Sequence, residues 1–279
     1  AAVNAAIGDN LSANFFWAPV SVLRKADGSL ERFPHLVTDR AKPGVIAVNR
    51  AGRRFVNESD SYHCFVQGMF ANGGANAPCW LICDSEALNR YGMGLARPRP
   101  VDNSALIEAG YLLRADSLAE LALIAGIDAT ALEQTLTQFN ADAVLGVDRQ
   151  FGKGSSAYNR YMGDPLHGPN PCLKPLHKAP FYAIRLFTGD LGSARGLVTN
   201  GQANVLDRSG APIPGLYAAG NEMNSIMDGT YPGPGITLGP GITFGYLAAS
   251  DIAARLERNT TQQAHSGEQH VLRTAHLHD

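Results

Sequence analysis

Charge is scarce in this chain. Of 279 residues, 17% are Asp, Glu, Lys or Arg, against roughly 25% in an ordinary soluble protein. The 23 basic and 25 acidic residues nearly cancel, to a net charge of −2. With no basic excess to hold a polyanion, nucleic acid is set aside as a partner. Cysteine is scarce too. Cys64, Cys79, Cys83 and Cys172 are too few for a disulfide framework. Cys79 and Cys83 lie in the apolar run CWLIC, where a strand points both to one face with Leu81 between them. No His/Cys partner pair accompanies them, so buried thiols outweigh a metal site, and no metal is expected. A reducing compartment is the default. Residues 1–10 lack a basic cluster, so no signal peptide is expected and the expected location is cytoplasmic. The longest uncharged stretch, Gly229–Ser250, has 22 residues but holds six glycines and three prolines. That excludes a membrane span.

What is present is apolar and rich in turns. The chain is 45% hydrophobic, with 30 glycines and 16 prolines. It can build a full core, as one large domain or two ordinary ones, and is not disordered. Residues 11–24 are apolar but irregular, with Pro19 breaking them. Val45–Asn49 and Arg54–Asn57, joined through Ala51–Gly52, predict a hairpin. Asn57, Ser59 or Asp60 is expected to cap a helix near Ser61–Phe70. Trp80–Cys83 predicts a short buried strand. Asp116 or Ser117 caps a helix over Leu118–Ala125 that Gly126 ends. Asp128 or Thr130 caps a second, to about Val144, with Leu132, Leu136 and Phe139 on one face. Residues 152–180 read as loops. Strands are expected at Phe181–Leu186, Gly196–Asp207 and, buried, Gly215–Ala219. A helix follows at Gly241–Arg255. Residues 259–279 are polar, hold four of the eight histidines and read as a flexible tail.

Two segments carry chemistry. In Tyr231–Gly241, YPGPGITLGPG, seven of eleven residues are Gly or Pro, and a helix starts directly after. Glycines let a backbone approach a ligand closely. A helix start offers free N–H groups and partial positive charge. The pair suits phosphate, a carbonyl oxygen or the pyrimidine edge of a flavin. A tight structural turn is the plain alternative. The loop is not a Walker loop, lacking G-K-[ST], and not GxGxxG, because Gly239 comes one place too late. The second segment is Val48–Tyr62, VNRAGRRFVNESDSY. Read plainly, it is a surface hairpin in which Arg53, Arg54 and Glu58 pair on a solvated face, followed by a capped helix.

Taken in order, the motifs say more. V-N-x-x-G-x-R-F-x-N-E at 48–58, G-L-Y-A-A-G-N at 215–221 and the glycine-rich helix start resemble the flavoprotein superfamily of fumarate reductases and 3-ketosteroid dehydrogenases. FWAPVS at 16–21, NPCLKPL at 170–176 and PFYA at 180–183 extend the resemblance over about Asn14–Arg258. Single residues decide the branch. Where the fumarate reductases place a catalytic arginine, four residues after the N-E pair, this chain has Tyr62. Where they place a dicarboxylate-binding H-G-x-N-R segment, it has GTYPGPGITLGP, similar to the Y-x-G-x-G-x-T-[IL]-G-P signature of ketosteroid dehydrogenases.

The resemblance implies an FAD-dependent dehydrogenase acting on a carbon–carbon bond beside a ketone, with an apolar, steroid-like cyclic ketone as substrate and an external electron acceptor. The Tyr231 O–H and Gly235 N–H hold the ketone oxygen. Tyr62 takes the proton from the neighbouring carbon, although a free phenol has a pKa near 10 and needs help from its surroundings. Hydride passes to flavin N5. Gly220 and Asn221 lie near the flavin ribityl chain, and the N–H groups of Ile236, Thr237 and Leu238 face its pyrimidine edge. The implied fold is α/β: residues 1–24 edge a flavin domain, 25–186 form an α+β substrate or cap domain, 187–258 return to a Rossmann-like FAD-binding domain, and 259–279 form the tail. Tyr62 comes from one domain and Tyr231 from the other. The Rossmann GxGxxG half is absent, so this is expected to be the later part of a longer chain that binds FAD poorly alone. An ene-reductase of the fumarate type is one alternative. A non-catalytic ligand-binding fragment is another.

Overall fold

The computed structural model describes residues 3–9, 11–37 and 39–275. The chain divides into two compact units. One is Phe16–Leu191; the other combines Ala1–Phe15 with Gly192–Asp279.

The first unit is built on a sheet. Its strands are β1 (Phe15–Arg24), β2 (Leu30–Pro34), β3 (Val45–Val48), β4 (Cys79–Asp84), β5 (Leu113–Ala115) and β6 (Phe181–Ser193), in the order β2-β1-β6-β4-β3, with β5 also on β6. Every residue of β4 is buried, and its alternation explains why. Cys79, Leu81 and Cys83 enter one core, with Phe65, Val66 and Met69 of α1 (Tyr62–Gly74) and Ala87 and Leu88 of α2 (Ser85–Tyr91). Trp80 and Ile82 enter the other, with Leu121 and Ala122 of α4 (Leu118–Ala125) and Leu132, Leu136 and Phe139 of α5 (Ala129–Leu145). Two short helices, α3 (Ser104–Glu108) and α6 (Ala157–Met162), complete the unit. The caps are local chemistry: Ser117 and Asp128 accept from the N–H groups of Glu120 and Ala131, and Gly126 ends α4 left-handed.

Several expectations fail here. The hairpin over 45–57 does not form, because β3 pairs with β4 (Val45↔Cys83 to Val48↔Trp80) and the Ala47 N–H is taken by the Glu58 carboxylate at 3.0 Å. Pro19 does not break β1; its carbonyl accepts from the His35 N–H, and the ladder to β2 runs from Val20↔Pro34. The cap of α1 is Ser61, not Asn57, Ser59 or Asp60. Residues 152–180 are not all loop, since they contain α6.

The second unit pairs β7 (Asn204–Leu206) with β8 (Pro212–Tyr217) and carries α7 (Leu238–Ala275). Ala5, Val205, Ala218 and Met223 form its small core. The strand expected over Gly196–Asp207 shrinks to β7, and β8, in a two-stranded ladder, is half exposed rather than buried. Tyr217 O–H donates to Asp251 at 2.7 Å, and Arg255 pairs with Asp251 at 2.7 Å, fastening α7 to the hairpin. No proline interrupts the polar stretch after 258, and α7 runs through it to Ala275; residues 276–279 lie outside the described residues.

Candidate functional site

Tyr62 is the first residue of α1 and is buried. Ser61 caps the helix by accepting from the Cys64 N–H at 3.2 Å, and Trp17 N–H donates to Nδ1 of the neighbouring His63 at 3.2 Å. Burial lowers the His63 pKa, which favours a neutral ring there.

The segment of chain that leads to Tyr62 is fixed by charge. Arg54 and Glu58 are not on a solvated face; both are buried. Arg54 Nε and Nη2 donate to the Glu58 carboxylate at 2.8 and 2.7 Å. Nη1 and Nη2 donate to Asp148 at 3.0 and 2.8 Å. The guanidinium lies between the Phe139 and Phe151 rings, 5.1 and 5.0 Å from their centres. Buried Lys153 donates to the Val45 carbonyl at 2.5 Å and stands 3.7 Å from Glu58. Burial works to raise the Glu58 pKa, but Arg54 and Lys153 hold it below the usual carboxylate range. Asp148 is held down in the same way by Arg54. Arg53 is the solvated one, reaching Gln134 at 3.2 Å.

The backbone from Glu58 to Asp60 is then tied carbonyl by carbonyl. Arg40 donates to the Glu58 and Asp60 carbonyls at 2.7 and 3.1 Å. Asn159 donates to the Ser59 carbonyl and the Asp60 carboxylate at 3.1 and 2.9 Å and accepts from Asn57 at 2.9 Å. Asn170, of the NPCLKPL segment, braces this region through the Lys153 and Gly146 carbonyls. Gly52 is required: its φ is +68°, and a Cβ there would stand 2.6 Å from Leu132 N. Asp148, Lys153, Arg40 and Asn159 escape sequence reasoning. Asp148, Lys153 and Asn159 lie far along the chain from the motif they serve, and Arg40, though only 18 residues before Glu58, sits outside it with no local pattern to mark it.

The other predicted residues belong to the second unit. Tyr231 is buried. Gly235 has φ +98°, with open space where a Cβ would stand. Ile236 and Thr237 are in the turn that leads into α7, which Leu238 opens. A helix start leaves its first N–H groups without intrahelical partners. Gly220 and Asn221 form a 3₁₀ turn, Gly220–Glu222, and a Cβ on Gly220 would stand 3.6 Å from the Gly241 Cα. The turn that holds 220–221 therefore meets Gly241, three residues past Leu238, on α7. These small residues and the helix start suit the ring end of a flavin. No GxGxxG occurs in the chain for the nucleotide end. Among the described residues no group of three or more His, Cys, Asp or Glu is placed to hold a metal, and no helix is long and apolar enough to cross a membrane.

The class follows from this mixed fold and glycine-lined helix start: the model of the FAD binding domain family matches residues 1–238, and the chain belongs to that family. Several of the proteins it is similar to are dehydrogenases. It is 43% identical over 251 residues to 4-oxocyclohex-2-ene-1-carboxylate 5-dehydrogenase of Sinomonas cyclohexanicum, covering 88% of this chain and 42% of that protein. It is 44% identical to 3-oxosteroid 1-dehydrogenase of Mycolicibacterium smegmatis, covering 78% and 40%. The solved 3-ketosteroid delta1-dehydrogenase of Sterolibacterium denitrificans, in complex with 1,4-androstadiene-3,17-dione, superposes with a TM-score of 0.82 at 40% identity, covering 90% of this chain and 45% of that one. The chain thus spans less than half the length of these relatives.

Proposed function

We propose that this chain supplies the ketone-binding and proton-handling part of an FAD-dependent dehydrogenase that introduces a double bond beside a ring ketone, of the 3-oxosteroid type. The observation that carries the reading is Tyr62 at a capped, buried helix start, held by a network built around the very motif that resembles this family. The names of the relatives support the substrate class, since both a steroid and a monocyclic dehydrogenase among them act on a ring bearing an oxo group.

In this reading Tyr231 O–H and Gly235 N–H donate to the ketone oxygen. They stabilise the enolate as it forms, each such donor lowering the barrier by about 2.7–4 kcal/mol. Tyr62 Oη takes the proton from the adjacent carbon. The Arg40–Asn159–Glu58 scaffold keeps the start of α1 from shifting, which matters because small displacements of a reacting group are costly in rate. Gly220, Asn221 and the N–H groups of Ile236, Thr237 and Leu238 hold the flavin. When bound, a flavin supplies the hydride acceptor for the next carbon and passes the electrons to an external acceptor.

The test is dye reduction by the FAD-loaded protein that carries this chain, with a 3-oxosteroid and with 4-oxocyclohexanecarboxylate as donors. Turnover with either, and a conjugated enone as product, is expected. A flavin-loaded protein inert towards both contradicts the proposal.

A further inference from the structure

A pocket of about 460 Å³ lies in the first unit, and Tyr62 is not among the residues that line it. Its lining includes Arg99, Arg114, Tyr182, Asn89, Leu88 and Ile107. We propose that this pocket is a binding site for a small organic carboxylate, an anionic head on an apolar body of about one ring.

The polar groups come from the sheet and from one loop. Arg114 on β5 and Tyr182 on β6 are direct cross-strand partners, so both side chains stand on one face of the sheet. Residues 99–103 also line it, in a loop stitched closed by Asn103, which accepts from the Arg97 N–H at 3.0 Å and donates to the Arg97 carbonyl at 2.9 Å. The same loop is tied to α2 by the Arg99 N–H on the Asn89 carbonyl at 3.0 Å. This brace presents Arg99, whose guanidinium has no ion pair or hydrogen bond among the described residues. Arg114 is committed through Nη2 to the exposed Asp116 at 2.9 Å, which leaves most of its five donors available. Asp102 also lines the pocket, but its carboxylate is turned to Ser104, accepting from the N–H at 3.0 Å and the hydroxyl at 2.7 Å. Of the two guanidiniums that line the pocket, that of Arg114 is shared with Asp116 and that of Arg99 is uncommitted, so Arg99 is the group that meets an anion first. Planar guanidinium forks match a carboxylate bidentately, while Leu88 and Ile107, both packed on the core, offer the apolar surface for the body. The volume is that of a small-molecule site. The inference does not rest on the flavin reading.

Calorimetric titration of the chain with cyclohexanecarboxylate, with its neutral amide and with inorganic phosphate tests it. The carboxylate is expected to bind, at least tenfold more tightly than the amide or phosphate. Arg99→Gln and Arg114→Gln are each expected to weaken it tenfold or more, with unchanged circular dichroism because both side chains are exposed. Absence of carboxylate binding, equal binding of the amide or of phosphate, or affinity unchanged in both variants overturns the proposal. If a glutamine variant loses its fold, 0.5 M sodium chloride on the unaltered chain replaces it: affinity must fall with salt, and salt-independent binding overturns the proposal.

Discussion

The two regions that carry the proposed chemistry are held in opposite ways. Tyr62 follows a loop fixed by side chains, with Arg54, Glu58, Asp148, Lys153, Arg40 and Asn159 all buried. The loop from Tyr231 to Leu238 is shaped by backbone, with a left-handed glycine at 235 and open space around Gly233, Gly235 and Gly239. The contrast matches two tasks. A group that moves a proton needs a fixed position, and buried ion pairs resist displacement because breaking one leaves an uncompensated charge. A group that donates from its N–H to a ligand needs bare backbone, and a side chain would only obstruct it.

The comparison can be broken at its stiff end first. Glu58→Gln leaves Arg54 and Lys153 with Asp148 alone to balance them, and is expected to cost about 3–5 kcal/mol of stability in urea unfolding. Loss of less than about 1 kcal/mol shows that the network does not carry the loop. At the open end, Tyr231→Phe is expected to lower kcat by roughly 10²–10³, the worth of one oxyanion donor, with little change in melting temperature. Acid separates the two regions next. Burial alone raises the Asp39 pKa, but His35 beside it takes it down to about 2, and Glu58 and Asp148 are also depressed. A carboxylate whose folded pKa is depressed gives stability that is complete above its unfolded pKa near 4 and disappears as the pH falls through the folded one. All three groups lie in the first unit, so its stability is expected to fall between about pH 4 and pH 2, read by tryptophan fluorescence from Trp17 and Trp80. A profile flat over that window contradicts the assignment. The smallest effect is Ser61→Ala, about 1 kcal/mol for one lost helix cap, measured by thermal unfolding.

How much of this could be read in the residues follows from the range of each interaction. The caps at Ser117 and Asp128, the stop at Gly126 and the buried alternation of CWLIC act within a few positions and were legible. The hairpin over 45–57 failed because the edge it needed is taken from Glu58 on one side and from β4, some thirty-five residues away, on the other. Proline in an apolar run suggests a break, but Pro19 spares β1 by offering its carbonyl where it has no N–H to give. For the candidate site, Tyr62, Tyr231 and the glycines stood out because their motifs are compact. Their supports did not: Asp148 meets Arg54 across 94 positions and Asn159 meets Asn57 across 102.

The central claim is that Tyr62 removes the proton beside the ketone. The most direct measurement is steady-state dehydrogenation of a 3-oxosteroid by the FAD-loaded protein with Tyr62→Phe, alongside the affinity for the enone product. Loss of a positioned base predicts a fall in kcat of about 10²–10⁴ with product affinity retained; a variant that keeps full turnover contradicts the account.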